Sequence, residues 1–283
     1  MIKQAIIPLA GLGTRLLPLT SVIPKELLPI NGKPGLEYIL DECIDSGITE
    51  VIFIISKKKE NIKKYFYNDA FYKKMIKKKK DKRLINEYKK LLKYKKMIKF
   101  VYQNSPKGTG DALLKCHNLI KSNFFLMLLP DDLIIKKNCS KSMIGVHKKY
   151  KSSVMASMKV NKNSVNRWGI YSISKNLDQY NFSISDVVEK PTIKKAPSNN
   201  AVIGRYILPR EIFKILNNQG KGKGGEIHIT DAIKKMIDGG SKFVGHKFSG
   251  KYLDCGTMNG YIKSTLEISK LWKFAWLEQD MSV

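Results

Sequence analysis

The chain has 283 residues, of which 43% are hydrophobic, and a formal net charge of +28, so it is long enough to bury a large core. No apolar run approaches the ~20 residues that a transmembrane helix requires, and Met1-Ile2-Lys3 leads directly into the first predicted strand. We therefore expect no membrane partner and no signal peptide. The four cysteines are scattered without a CxxC pair, which indicates reduced thiols in a cytoplasmic protein.

The positive charge first suggests a nucleic-acid-binding protein. However, only five of the 52 basic residues are arginine, the side chain that reads bases most often. Residues 57–99 contain 18 Lys and one Arg against four acidic residues, which is +15 of the +28. We interpret this lysine-rich segment as a solvated helical surface rather than a polyanion-binding patch, and we expect no nucleic-acid partner.

In the first half of the chain, predicted strands alternate with predicted helices. A helix opened by Pro34 and stopped by Gly47 follows the first strand, two helices are expected in the lysine-rich segment, and another over about 111–120. Strand–helix–strand units imply a parallel sheet with right-handed crossovers. The strands are predicted from short apolar runs at 5–9, 51–55, 98–103 and 124–129.

The second half is more mixed. A helix with Thr230 as its N-cap is expected to end at Gly239-Gly240. An amphipathic terminal helix is expected from Gly260 onward, and Trp272 and Trp276 make it a candidate subunit contact. The strands of this half are predicted at 154–160, 169–173, 184–189 and 201–208.

A glycine-containing loop, Ala10-Gly11-Leu12-Gly13-Thr14-Arg15, follows the first strand, and three prolines after it exclude a helix. Gly11 and Gly13 let the backbone approach a ligand closely. Arg15 and Lys25 add cationic donors, so the segment predicts a triphosphate site. It is not a P-loop, which needs Gly-Lys-Ser/Thr, and Leu16 replaces the third glycine of the dinucleotide fingerprint.

Two further segments are expected to meet this loop, because ligands of open α/β sheets gather at the carboxyl ends of strands. One is the loop from Gln103 to Gly110, and the other is Pro130-Asp131-Asp132. Carboxylate oxygens suit Mg²⁺. Neighbouring residues of a strand point to opposite sides, so only one of the two aspartates can face the crevice.

The string GLGTRLLPLT…IPKELLPI resembles the signature of the sugar-nucleotide pyrophosphorylases, and Pro24-Lys25-Glu26 is most similar to the bacterial uridylyltransferases among them. Motifs similar to that family recur in its order at five places along nearly the whole chain. The resemblance implies an α/β fold with a Rossmann-like mixed, mostly parallel sheet flanked by helices, of the nucleotide-diphospho-sugar transferase type. It implies a single domain over 1–283, with a nucleotide-binding half at about 1–135, a sugar-phosphate half at about 136–258 and a C-terminal helix at about 259–283.

The implied reaction transfers a uridylyl group from UTP to glucose 1-phosphate by direct in-line attack with Mg²⁺, giving UDP-glucose and pyrophosphate. The resemblance implies catalytic roles for Arg15, Lys25 and Lys190, and metal binding by Asp131 and Asp254. It implies nucleotide binding by Ala10, Gly11, Gly13, Glu26, Gln103 and Gly108. It implies sugar-phosphate binding by Gly169, Glu189 and Lys190, and a homodimer or homotetramer. Glu26 is expected either to orient Lys25 or to touch the nucleoside.

The chain departs from the family pattern in three places. Asp111 replaces a usual His, His228 replaces a usual Gln, and Thr257-Met258 replaces an Asn/Ser-Lys pair. These departures leave open a catalytically weak binding or regulatory paralogue. The other alternative is a thymidylyltransferase acting on glucose 1-phosphate, although such enzymes have Lys-Gln where this chain has Lys25-Glu26, which favours UTP.

Overall fold

The computed structural model describes residues 2–271, and a nine-stranded sheet passes through both halves of the chain. Its strands, in spatial order, are β5, β4, β1, β6, β11, β8, β12, β10 and β9. Their bounds are β1 Gln4–Pro8, β4 Glu50–Ile55, β5 Ile98–Tyr102, β6 Phe124–Leu128, β8 Ser153–Lys159, β9 Gly169–Asn176, β10 Asn181–Glu189, β11 Asn200–Pro209 and β12 Phe243–Lys247. Two antiparallel pairs lie outside this sheet: the hairpin of β2 Pro29–Ile30 with β3 Lys33–Pro34, and the long-range pair of β7 Asp132–Ile135 with β13 Lys251–Asp254.

The sheet is mixed, as predicted, and most of its strands run in one direction. Strands β5, β4, β1 and β6 pair in parallel, and β11 pairs antiparallel to both β6 and β8. The parallel pair β8–β12 is followed by antiparallel β10 and β9. Only β10 and β11 therefore run against the other seven strands, and the carboxyl ends of β1, β5 and β6 share one edge.

Helices cover both faces of the sheet. Alternate residues of each strand face opposite sides, so Ile7 and Phe53 pack in one core while Ile6 and Ile52 pack in the other. The first core is covered mainly by α1 Gly35–Asp45, α2 Glu60–Tyr67, α4 Lys82–Met97, α6 Cys139–Tyr150 and α9 Met258–Leu271, and the second by α5 Thr109–Leu114, α7 Ile212–Asn217 and α8 Ile229–Asp238. The remaining helix, α3 Ala70–Lys79, buries no side chain.

Several predicted boundaries are wrong. Pro34 ends β3 and precedes α1, and α8 begins at Ile229 after His228, one residue before the predicted cap Thr230. The lysine-rich segment forms three helices instead of two, because Lys80 turns left-handed (φ 49°) and the Asp81 carboxylate caps the backbone N–H groups of Arg83 and Leu84. Helix α5 stops at Leu114 and continues only as turns, so the predicted helix over 111–120 is too long.

Helix α9 begins near the predicted position, but Trp272 and Trp276 lie outside the described residues, and the predicted homodimer or homotetramer stays a prediction. Within residues 2–271, no helix combines the length and the apolar character that crossing a membrane would demand. All four cysteines are buried and free.

Candidate functional site

The loop that follows β1 is built from short 3₁₀ turns, at Thr14–Leu16, Leu19–Ser21 and Lys25–Leu27. Gly13 adopts a left-handed backbone (φ 71°), and its carbonyl accepts a 2.9 Å hydrogen bond from the Thr20 hydroxyl. A β-carbon at Gly13 would lie 3.2 Å from Thr20 Cγ2, so both the backbone conformation and the limited space favour glycine here. Arg15 is exposed on this loop.

Lys25 and Asp131, predicted from separate motifs, form an ion pair. Lys25 Nζ lies 2.7 Å from Asp131 Oδ2. Burial disfavours the ionised form of Asp131, but attraction to Lys25 and more weakly to Arg15 outweighs it and lowers the pKa of the carboxyl group. Burial likewise disfavours the charged form of Lys25, and Asp131 and Glu26 more than offset this and raise its pKa. Both groups are therefore charged at neutral pH.

Asp254 faces Asp131 across Gly256. A β-carbon at Gly256 would lie 2.8 Å from Asp131 Oδ2 and 3.2 Å from Asp254 Oδ1. The backbone N–H of Cys255 donates to the Asp131 carbonyl (2.8 Å), and that of Gly256 donates to Asp254 Oδ1 (2.8 Å). Two hard carboxylates on either side of a residue without a side chain suit Mg²⁺, which commonly takes one or two protein carboxylates and fills its sphere with phosphate and water.

Asp132 points elsewhere. Its Oδ2 accepts the Gly204 backbone N–H (2.8 Å) and its Oδ1 accepts the Tyr252 hydroxyl (2.6 Å). Burial and the charge of Asp131 raise the pKa of Asp132 to about 6. Tyr252 was not among the predicted site residues. The side-chain contacts of Asp132 join β7, β11 and β13.

A cavity of about 310 Å³ opens at the carboxyl ends of β1, β5 and β6. Gly108 closes one side with a left-handed backbone (φ 98°), where a β-carbon would lie 2.5 Å from the Ile227 carbonyl oxygen. The structure thus brings together nucleotide-site residues predicted from three separate motifs. The lining includes Ala10, Gly11, Lys25, Glu26, Gln103, Gly108, Asp131 and Glu226.

Gln103 is buried beside this cavity and donates through its side-chain nitrogen to two oxygens. Nε2 lies 2.8 Å from Asp111 Oδ2 and 3.2 Å from the Gly108 carbonyl. Asp111 is buried in the first turn of α5, where an acidic residue is also favourable to the helix dipole. The family departure at position 111 is therefore in direct contact with Gln103, a predicted nucleotide-binding side chain.

Glu26 is paired with Lys59, a residue that the sequence analysis did not single out. Lys59 Nζ lies 2.8 Å from each carboxylate oxygen of Glu26, and the two side chains are 8% and 1% exposed. Burial lowers the pKa of Lys59 although Glu26 opposes the shift. No sequence signal separated Lys59 from the other lysines of its segment. Glu26 therefore binds Lys59 directly, a partner that neither predicted alternative included. Those alternatives were that Glu26 orients Lys25 or touches the nucleoside.

The predicted sugar-phosphate residues lie where β9 begins and β10 ends. Gly169 pairs with Glu189 in the ladder, and a β-carbon on the glycine would lie 3.1 Å from Glu189 Oε2. Lys190 has a left-handed backbone (φ 45°), and its Nζ lies 3.8 Å from Glu189 Oε1. Successive strand residues normally point to opposite sides, so this backbone turn accounts for the meeting of the two charged ends.

These residues do not line the 310 Å³ cavity. A neighbouring cavity of about 660 Å³ joins Asp254 to Trp168, which precedes Gly169 in the chain. Burial, followed by the charges of Asp132 and Glu189, raises the pKa of the buried Tyr206 hydroxyl. The Tyr206 hydroxyl therefore lies close enough to interact electrostatically with Asp132 and with Glu189, one of the predicted sugar-phosphate-binding residues.

Comparisons with known proteins agree on one family. The model of the family described as "Nucleotidyl transferase" matches residues 4–270. The UTP--glucose-1-phosphate uridylyltransferase of Pseudomonas aeruginosa is 35% identical over 94% of this chain and 95% of its own length. That of Mycoplasma pneumoniae is 36% identical over 94% and 91%. A crystal structure of UDP-glucose pyrophosphorylase complexed with UDP-glucose superimposes with a TM-score of 0.84 at 34% identity, covering 96% of this chain and 100% of that chain.

Proposed function

Because the chain belongs to the nucleotidyl transferase family, we propose that it transfers the uridylyl group of UTP to glucose 1-phosphate, giving UDP-glucose and pyrophosphate. The relatives carry this activity in their names, and their similarity extends over nearly the whole of both chains. The observation that carries the proposal is the meeting of Lys25, Asp131 and Asp254 beside a cavity whose wall contains Gln103.

The chemistry requires several phosphate charges to come together. In the proposed reaction an oxygen of glucose 1-phosphate attacks the α-phosphorus of UTP in line with the departing pyrophosphate. Such a reaction depends on positioning and charge neutralisation rather than on a covalent intermediate. Arg15 on the exposed loop and Lys25 at the cavity wall supply fixed positive charge on the triphosphate side. Gly11 and Gly13 leave room for the phosphates to approach the backbone.

We assign Asp131 and Asp254 as the protein ligands of Mg²⁺. Within residues 2–271 no group of three or more His, Cys, Asp or Glu side chains is arranged to hold a metal, and a two-carboxylate site is what Mg²⁺ needs when phosphate oxygens complete its sphere. When bound, the ion would neutralise phosphate charge and orient the reacting groups. Lys25 keeps the Asp131 carboxylate ionised for this role.

Glucose 1-phosphate is proposed to bind where β9 begins and β10 ends. Glu189 offers carboxylate oxygens to sugar hydroxyl groups, and Lys190 offers an ammonium group to the phosphate. Both side chains are exposed and contact each other, so a ligand can reach them. Gly169 allows the sugar ring to pass close to the backbone. We also propose a cytoplasmic location, which the four buried thiols support.

The test is pyrophosphate release by the purified protein with Mg²⁺ and glucose 1-phosphate, using UTP, CTP, dTTP and ATP in parallel. We expect kcat/KM to be highest with UTP and lower with CTP by a large factor, because a site that pairs with one base edge leaves polar groups unpaired with another. A preference for dTTP would replace this proposal with a thymidylyltransferase. Nucleotide binding without turnover would identify a binding or regulatory paralogue.

A further inference from the structure

We propose that Asp111 is a positioning residue that makes the site selective for uracil, by holding the Gln103 amide with its oxygen directed to the incoming base. This inference rests on the proposed use of UTP. It concerns a position at which the chain departs from the family pattern, and it gives the departure a role in base selection.

The amide of Gln103 has one chemically sensible orientation. Its Nε2 lies 2.8 Å from Asp111 Oδ2 and 3.2 Å from the Gly108 carbonyl oxygen. The two N–H bonds of the amide therefore have two acceptors. Rotating the amide by 180° would place Oε1 against both of these oxygens with no hydrogen to share. Oε1 is left as the group that can face a ligand, and it can only accept a hydrogen bond.

Asp111 acts through Gln103 rather than on the nucleotide. Gln103 lines the 310 Å³ nucleotide cavity, whereas Asp111 lines a smaller cavity of about 230 Å³ on the other side of the glutamine. Lys115, which directly follows α5, also lines the smaller cavity, and its Nζ lies 3.6 Å from Asp111 Oδ1. Asp111 itself is only 8% exposed. Its carboxylate is thus a buried acceptor directed at the back of the base-reading side chain.

The fixed orientation has a direct consequence for base choice. The N3 position of uracil carries a hydrogen and can donate to Oε1 of Gln103, whereas N3 of cytosine is an acceptor and would face that oxygen lone pair to lone pair. A free glutamine could turn over and offer its NH₂ group to cytosine. An imidazole at position 111 could present either a donor or an acceptor, but a carboxylate can only accept, so Asp111 removes the second orientation.

The experiment measures kcat and KM for UTP and for CTP in Asp111→Ala, with Lys115→Ala as the matched control. Asp111→Ala removes the acceptor, and we expect the UTP/CTP ratio of kcat/KM to fall about tenfold or more. The loss should appear mainly as a higher KM for UTP at nearly unchanged kcat, because the base is bound equally in the ground and transition states. Lys115→Ala keeps the Asp111 acceptor and should leave the ratio unchanged, and Asp111→Asn, whose amide oxygen can still accept, should retain most of it.

A double variant separates positioning from a general structural effect. In a Gln103→Ala background the discrimination should already be low, and adding Asp111→Ala should lower it no further. An unchanged UTP/CTP ratio in a folded Asp111→Ala variant would overturn the inference. If that variant is unfolded by circular dichroism, Asp111→Ser replaces it, since serine suits a helix start but is one atom too short to hold the amide. Failure of the wild-type protein to use UTP would instead overturn the proposed function itself.

Discussion

At the scale of single residues, Asp131 and Asp132 show how two adjacent carboxylates acquire separate tasks. Asp131 pairs with Lys25 and faces Asp254, whereas Asp132 accepts hydrogen bonds from Gly204 and Tyr252. The first set of partners leaves a carboxylate beside a cavity that a metal and phosphates could enter. In the second set, both carboxylate oxygens of Asp132 accept hydrogen bonds from the protein itself. We therefore expect substitutions at the two positions to affect different properties.

Asp131→Asn and Asp254→Asn should each lower kcat by roughly 10²–10³, because each removes an anionic ligand whose interaction strengthens in the transition state. The double variant should be little worse than either single variant, since both carboxylates are assigned to one ion. The measurement is turnover as a function of Mg²⁺ concentration, in which the single variants should need more Mg²⁺ to reach half of their maximal rate.

Asp132→Asn is the control for that series. It should retain activity within about tenfold but lower the free energy of unfolding by about 1–3 kcal/mol, because the amide NH₂ group cannot accept a hydrogen bond and one of the two existing bonds is therefore lost. Urea denaturation measures the second effect. A severe loss of turnover in Asp132→Asn together with a mild one in Asp131→Asn would require the metal ligand to be reassigned.

Lys59→Ala should lower the free energy of unfolding by about 3–5 kcal/mol, because it leaves the carboxylate of Glu26 buried without its partner. Lys58→Ala is a matched control, since Lys58 is the residue before Lys59 but its side chain is exposed. Ion pairs of exposed side chains contribute only about 0–1 kcal/mol. Urea denaturation of both variants tests the difference. Equal stability of the two would show that Glu26 is satisfied by other groups.

From the sequence, the residues of the site could be located better than the side chains that contact them. The glycine-containing loop after β1 and the Pro130-Asp131-Asp132 segment can be recognised from their composition. Lys25 and Asp131 could therefore be predicted to lie at one crevice. Lys59 could not be predicted, because no local sequence pattern distinguishes it from the other lysines among the 18 in its segment. Its burial depends on how α2 packs behind the loop. The contact between Gln103 and Asp111 depends on side-chain orientation, which no spacing rule supplies.

At the scale of elements, the main-sheet strands of the first half were predicted well, whereas β12 of the main sheet and the four strands outside it were missed. The strands β1, β4, β5 and β6 agree with the prediction to within one residue. Strands β2, β3, β7 and β13 have two to four residues each and pair outside the main sheet, so tertiary contacts rather than local pattern define them. Helix α6 was missed as well, because it mixes buried residues such as Met143 with three basic residues in its last turn.

Neutralising Lys77, Lys78, Lys79 and Lys80 together should leave kcat/KM within about twofold of wild type. These residues lie at and after the end of α3, an element with no buried side chain, and charges exposed to solvent are screened beyond ~10 Å. The same variant should elute earlier from a polyanion column. The checks are turnover with UTP and the salt concentration at elution. Loss of activity would show that the lysine-rich segment contributes to substrate binding.

At the scale of the whole molecule, the sheet joins the two halves through β6, which pairs with β1 on one side and β11 on the other. Arg205 of β11 adds a buried link, because its guanidinium donates to both carboxylate oxygens of Glu42 in α1. Glu42 also accepts from Ser140 at the start of α6. A break between the halves would leave a buried charge unpaired, which is strongly unfavourable.

We therefore predict a single cooperative unfolding transition. Far-UV circular dichroism, which reports secondary structure, and near-UV circular dichroism, which reports aromatic packing, should give the same midpoint in urea. Arg205→Met leaves Glu42 unpaired and should move both midpoints together to lower urea. Two separate transitions in the wild-type chain would show that the halves are independent domains.

The four buried thiols allow local unfolding of the chain to be measured by thiol labelling. Cys43, Cys139 and Cys255 lie in the core on one face of the sheet and Cys116 in the core on the other, so a thiol-reactive probe can reach them only when the packing around each one separates. The labelling rate of each cysteine then measures how often its neighbourhood opens. Cys255 follows Asp254 in the chain. A ligand that binds the carboxylates of Asp131 and Asp254 together should therefore lower the labelling rate of Cys255 more than that of the other three cysteines.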